Sequence, residues 1–158
     1  MEPVFTETLQ IGIVVRDLEA AMRTYVDDFG IGPWETFEFD PENATGLHEH
    51  GEPVARSWRL ATTMIGEVQW ELIEPLDNDG VYARFLAEKG GGVHHIAVAS
   101  NFDAAVAHQA DQGHSLVLDG TFDGVRVAYL GTDRELGVIT EIFTGTPRNE
   151  LKPVSTYP

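Results

Sequence analysis

Hydrophobic and polar positions alternate along the chain between two rhythms. Residues 8–15 form a short β-branched run that ends at a charge, and they predict a buried strand. Leu18, Ala21, Met22, Tyr25, Val26 and Phe29 then recur at helical spacing. Asp17 stands where a carboxylate can cap the free amides of a first turn, and Gly30 where a left-handed residue ends a helix. The spacing predicts a helix over 18–29. Strands are expected at 34–39, 54–63 and 67–74. Residues 40–53, rich in Pro, Gly and charge, are expected to be a long loop, and long loops in compact domains are often functional.

The pattern then restarts. A short helix with Val81, Tyr82, Phe85 and Leu86 on one face ends at Gly90-Gly91-Gly92. A strand is expected at 93–99, a helix at 102–112, and strands near 114–118, 124–130 and 137–143. The segment QIGIVVRDLEAA from Gln10 parallels HIAVASNFDAA from His95, and VQWELI from Val68 parallels VITEIF from Val138. This internal repeat implies an α+β fold, a single domain over 1–158. Two tandem βαβββ modules, 8–76 and 93–144, would form a cupped mixed sheet around a cleft. Residues 77–92 link the modules and 145–158 form a polar tail that covers a surface or frays.

Strand side chains alternate faces, so parity sorts the repeat further. One face is mostly large and apolar, as expected beneath helices. The other carries Gln10, Glu71, His95 and Glu141, one from each of four repeat-related strands. Ionised groups in mid-strand are costly unless exposed, paired or bound to a metal. One imidazole, two carboxylates and one amide oxygen make a plausible N/O site for a divalent metal such as Zn, Ni, Co or Mn. The competing reading is a polar cleft without metal. By the same parity His94 packs on the opposite face. Trp34, Phe37, Phe39 and Trp58 line either an apolar pocket or the core. His48-Glu49-His50 reads as a solvated loop, and Gly90–Gly92 as a helix stop, since no Lys-Ser/Thr follows.

Composition narrows the partners. The chain has 158 residues and a net charge of −16 from 10 basic and 26 acidic side chains, with no cysteine. That excludes disulfides and thiolate chemistry, and it disfavours nucleic acid and anionic membranes. The first residues lack a basic start and an apolar run, so a cytoplasmic location is expected. The expected partner is a small molecule, with no nucleic acid and no membrane. Only two of the ten cations are lysines, Lys89 and Lys152, which makes a phosphate-rich substrate harder to hold.

Residues 10–30 (QIGIVVRDLEAAMRTYVDDFG), 68–76 (VQWELIEPL), 82–98 (YARFLAEKGGGVHHIAV) and 125–143, ending LGVITEIF, carry a resemblance. Over about 8–144 the chain resembles the vicinal oxygen chelate superfamily of glyoxalases, bleomycin-resistance proteins and extradiol dioxygenases. It is most similar to the branch with methylmalonyl-CoA epimerase and glyoxalase-like proteins. The resemblance implies a metal held by Gln10, Glu71, His95 and Glu141. Epimerases of that branch usually carry His where Gln10 stands; Gln there resembles a zinc-using class of glyoxalase I. Extradiol dioxygenases use two His and one Glu, so Gln10 argues against oxygen chemistry.

The implied activity is a metal-dependent isomerase, epimerase or lyase. It would move a proton α to a carbonyl through a metal-stabilised enolate, on a small acyl-thioester or oxo-acid derivative. By resemblance Glu141 is the first choice of catalytic base and Glu71 the second, with Glu52 as a further acid/base from the 40–53 loop. Two alternatives stand beside this: a metal-free binding protein of the same fold, similar to drug-sequestering members, and an extradiol-type dioxygenase. The resemblance also implies a homodimer.

Overall fold

The computed structural model describes residues 5–122, 124–145 and 152–158. The first module begins with β1 (Phe5–Val14) and α1 (Leu18–Phe29), followed by β2 (Trp34–Phe39). It continues through β3 (Ala44–Glu49), β4 (Glu52–Pro53), β5 (Trp58–Ile65) and β6 (Val68–Pro75). After α2 (Val81–Lys89) the second module runs β7 (Gly92–Ser100), α3 (Phe102–Asp111), β8 (Leu116–Phe122) and β9 (Val125–Leu130). A short α4 (Asp133–Leu136) precedes β10 (Ile139–Phe143), and β11 (Ser155–Tyr157) closes the described chain.

The helix ends are set by local chemistry. Asp17 Oδ1 accepts from the Ala20 amide at 2.8 Å, and Asn101 makes the matching cap of α3 to Ala104 at 3.1 Å. Gly30 adopts φ 66°, and its amide donates to the Tyr25 and Val26 carbonyls. The expected helix over 18–29 is thus observed, with the same bounds.

The strands form one mixed sheet in the order β11-β2-β5-β6-β1-β7-β10-β9-β8-β3-β4. β1 runs parallel to β6 and β7 parallel to β10, so each module repeats the same crossover. The modules meet where β1 pairs antiparallel with β7. α1 covers one outer face through Leu18 and Met22 against Leu72, Ala61 and Trp34. α3 covers the equivalent face through Ala105 against Ala128, Leu130 and Ile142.

Two expectations need correction. Residues 40–53 are not a plain loop: they contain β3 and β4, and β3 pairs with β8 of the other module. The chain therefore crosses from β2, near one end of the sheet, to the far end. A register shift between Thr45 and His48 hides the strand's alternation. The crossing draws the two ends of the cup together: Phe39 stacks on Trp58 at 5.2 Å, and Phe122 of β8 packs against both. The tail expected to cover a surface or fray instead ends in β11, paired with β2 through Ser155, Thr156 and Tyr157. Its stretch 146–151 lies outside the described residues. No helix among the described residues is long and apolar enough to cross a membrane.

Candidate active site

The cup encloses a cavity of about 610 Å³. Gln10 from β1, Glu71 from β6 and Glu141 from β10 line it, with His95 of β7 beside them. Gln10, Glu71 and Glu141 are each less than a tenth exposed, and His95 is wholly buried. Their strand neighbours of opposite parity, such as Trp70, Leu72 and Ile142, pack beneath the helices instead.

The centre of the cluster is His95 Nε2. It stands 3.1 Å from Glu141 Oε2 and 3.3 Å from Glu71 Oε2. Glu71 Oε1 accepts from the Gln10 amide nitrogen at 3.3 Å, and that nitrogen also donates to Gln69 at 2.6 Å. Although close, His95 Nε2 and Glu141 Oε2 make no well-directed hydrogen bond with any partner. Two buried polar atoms left so are expensive unless a cation sits among them.

The charges follow from this crowding. Burial alone would depress the imidazole of His95, but Glu141 and Glu71 carry it up to about 10. Burial pushes the Glu141 carboxyl up, and the Glu71 charge adds to this against the pull of His95. A carboxyl raised in this way is a stronger base than an exposed one.

The other side of His95 differs from the parity expectation. β7 carries an extra residue between the pairs Gly12–His95 and Ile13–Val93, a β-bulge at His94. The bulge swings His94 alongside His95, so the two do not occupy opposite faces. Their Nδ1 atoms are 3.1 Å apart. His94 is buried among Tyr82, Phe85 and Tyr129, and burial together with the neighbouring His95 lowers it to about 3. A neutral His94 accepts, so His95 donates its Nδ1–H and keeps Nε2 for the carboxylates. The Tyr82 and Tyr129 hydroxyls hydrogen-bond each other at 2.7 Å under this pair.

A divalent cation suits the donor types. Two donors on one tetrahedral zinc, each about 2.0–2.1 Å from it, stand about 3.3 Å apart, close to the spacing about Nε2. As the side chains stand, no group of three or more His, Cys, Asp or Glu among the described residues is arranged to hold a metal ion. Gln10 turns its nitrogen, not the expected oxygen, toward Glu71. The fit is therefore one of donor chemistry and spacing, and the Gln10 amide would have to turn to complete it.

The remaining candidates separate clearly. Glu52 is exposed on β4, paired across from Glu49, and does not line the cavity. Phe37 and Phe39 do line it, whereas Trp34 lies under α1 and Trp58 in the core. Glu35 was not singled out by the sequence, yet it lines the cavity, sharing the parity of Phe37 and Phe39. Glu49 is no solvated loop residue: only 5% exposed, it is held by Arg56 and Arg84.

Fold and cluster together define a class. The chain belongs to the Glyoxalase/Bleomycin resistance protein/Dioxygenase superfamily, whose family model matches residues 9–129. Within it the chain is 32% identical over 107 residues to the uncharacterized protein YqjC of Bacillus subtilis, covering 64% of this chain and 76% of that one. It is 35% identical over 98 residues to the mitochondrial methylmalonyl-CoA epimerase of Homo sapiens, covering 61% of this chain and 48% of that protein. The match thus spans about half of the human enzyme's length. A Streptomyces coelicolor methylmalonyl-CoA epimerase variant, solved with 2-nitronate-propionyl-CoA, superposes with a TM-score of 0.65 at 26% identity. That superposition covers 94% of this chain and 99% of the other.

Proposed function

We propose that the chain is an epimerase- or isomerase-type enzyme that moves a proton on the carbon α to a carbonyl. The observation that carries this is the buried cluster in which His95 Nε2 lies within 3.3 Å of both Glu71 and Glu141 beside the cavity. The likeness to methylmalonyl-CoA epimerases supports the reaction type.

Glu141 is the base. Burial raises its carboxyl, so its ionised form is a stronger acceptor for the α-proton. Glu71, the second carboxylate at the same imidazole, is the alternative base, and the carboxyl that takes the proton returns it to the same or a neighbouring carbon. His95 holds both carboxylates in place, and His94 fixes the ring that does so. Gln10 orients Glu71 through its amide. A divalent cation held by Gln10, Glu71, His95 and Glu141 would polarise the substrate carbonyl as a Lewis acid. The apolar wall of Phe37, Phe39 and Phe122 keeps water away from the enolate.

The test is exchange of the α-proton with D2O, followed by NMR on a panel of acyl-thioesters and 2-hydroxyketones, with and without added Zn, Ni, Co or Mn. Exchange that depends on the protein supports the reading; no exchange on any member overturns it. A second reading, a binding protein without turnover, is favoured by the Gln10 nitrogen facing Glu71 and by the apolar wall. Tight binding without exchange and without stoichiometric metal would select it.

A further inference from the structure

We propose that the cavity selects a ligand whose reacting part carries no negative charge: an uncharged or cationic carbonyl compound with an apolar body. This rests on the cavity being the reacting site named above, and it adds the class of substrate.

Among the described residues the lining carries three carboxylates, Glu35, Glu71 and Glu141, and neither Lys nor Arg. The nearby arginines are committed elsewhere. Arg56 and Arg84 hold Glu49 and Asp79, Arg59 holds Glu19 and Glu74, and Arg126 holds Asp103. A divalent cation at His95 would offset two of the three negative charges and still leave an excess. A second carboxylate on the acyl group would enter this field with no Lys or Arg among the described lining residues to receive it, and the His95 imidazole is already matched by Glu71 and Glu141.

The rest of the wall is uncharged: Thr62, Thr63, Gln69 and Thr156 stand among apolar side chains. Phe37, Phe39, Leu60, Phe122, Val127 and Phe143 face the same space. At about 610 Å³ the cavity falls in the range of ordinary small-molecule sites. Its floor addresses one carbonyl, and its wall offers alkyl and aromatic contact beside neutral hydroxyl and amide groups, with no Lys or Arg among the described lining residues to balance a second anion.

Two matched pairs test this by calorimetry on the whole protein. The thioester pair is 2-methylbutanoyl-CoA against methylmalonyl-CoA, which differ chiefly in an ethyl group against a carboxylate. The free pair is 1-hydroxy-1-phenylpropan-2-one against mandelate. In each pair that binds, the uncharged member is expected to bind at least ~10-fold tighter. Glu35→Gln is expected to narrow that gap, and an unchanged gap contradicts the role given to Glu35. Equal or reversed order in either pair, or no binding by both uncharged members, overturns the proposal. Since this experiment reads binding alone, absent α-proton exchange with the order intact would overturn the reaction and leave the selectivity standing.

Discussion

The imidazole of His95 lies over the backbone of Gly12, its partner across β1 and β7, in the space where any other residue would carry its Cβ. The glycine is what allows a fully buried ring to sit flat against the seam between the two modules. The repeat places Gly12 and His95 on adjoining central strands, so the site is assembled by the same pairing that joins the halves.

Gly12→Ala should therefore act on both stability and chemistry. The added methyl meets a ring that has no free volume behind it, since Tyr129 packs 4.8 Å away. Overpacking of this kind costs about 1–3 kcal/mol. Thermal melting should show that loss, and α-proton exchange should fall further than the stability change explains. A variant with normal melting and normal exchange would contradict the placement of His95.

His94 separates position from bulk. His94→Phe keeps an aromatic ring in the Tyr82–Phe85–Tyr129 cage but removes the acceptor for the His95 Nδ1–H. The His95 Nδ1–H proton resonance in an NMR experiment should then move upfield as its hydrogen bond to His94 is lost. Exchange should drop by about 10–100-fold, the usual effect of losing such a supporting partner. His94→Gln, which restores a side-chain oxygen, should recover part of it. An unchanged Nδ1–H resonance in His94→Phe would remove the His94 contact from the mechanism.

Much of this was legible in the sequence because the repeat and strand parity are local signals. The helix at 18–29, its Asp17 and Gly30 ends and the grouping of Gln10, Glu71, His95 and Glu141 needed only periodicities of 3.6 and 2. The parity rule failed at His94, because a single bulged residue reverses the alternation and leaves no compositional mark. β3 was hidden for a different reason: its partner β8 lies in the other module and its own pattern is broken by a register shift. Glu35 escaped notice because a glutamate on the polar side of a strand looks like any surface charge until the fold places it at the cavity wall.

Glu49 ties that crossing segment to α2, which makes it a pH-dependent element of stability. Burial raises its carboxyl, but hydrogen bonds from Arg56 and Arg84 outweigh this and hold it below the ordinary glutamate range. Its stabilising contribution is therefore present above its unfolded value of about 4.5 and is lost as pH falls through the lower folded value. Glu49→Gln should cost about 1–3 kcal/mol at pH 7, with part of the pairing already screened by solvent at the half-exposed Arg84. Denaturant unfolding from pH 7 to pH 3 should show the gap between the two proteins closing at the acid end. A gap that stays constant would mean Glu49 is not ionised in the fold.

The proton-transfer role of the carboxylates is tested most directly by α-proton exchange in D2O with wild type, Glu141→Gln and Glu52→Gln side by side. The substitution at Glu141 keeps the shape and removes the base, so exchange should fall by about 10²–10⁴-fold. Glu52, exposed on β4 and absent from the cavity lining, should leave exchange at the wild-type rate. Undiminished exchange in Glu141→Gln, with loss in Glu52→Gln, would contradict the assignment of the site.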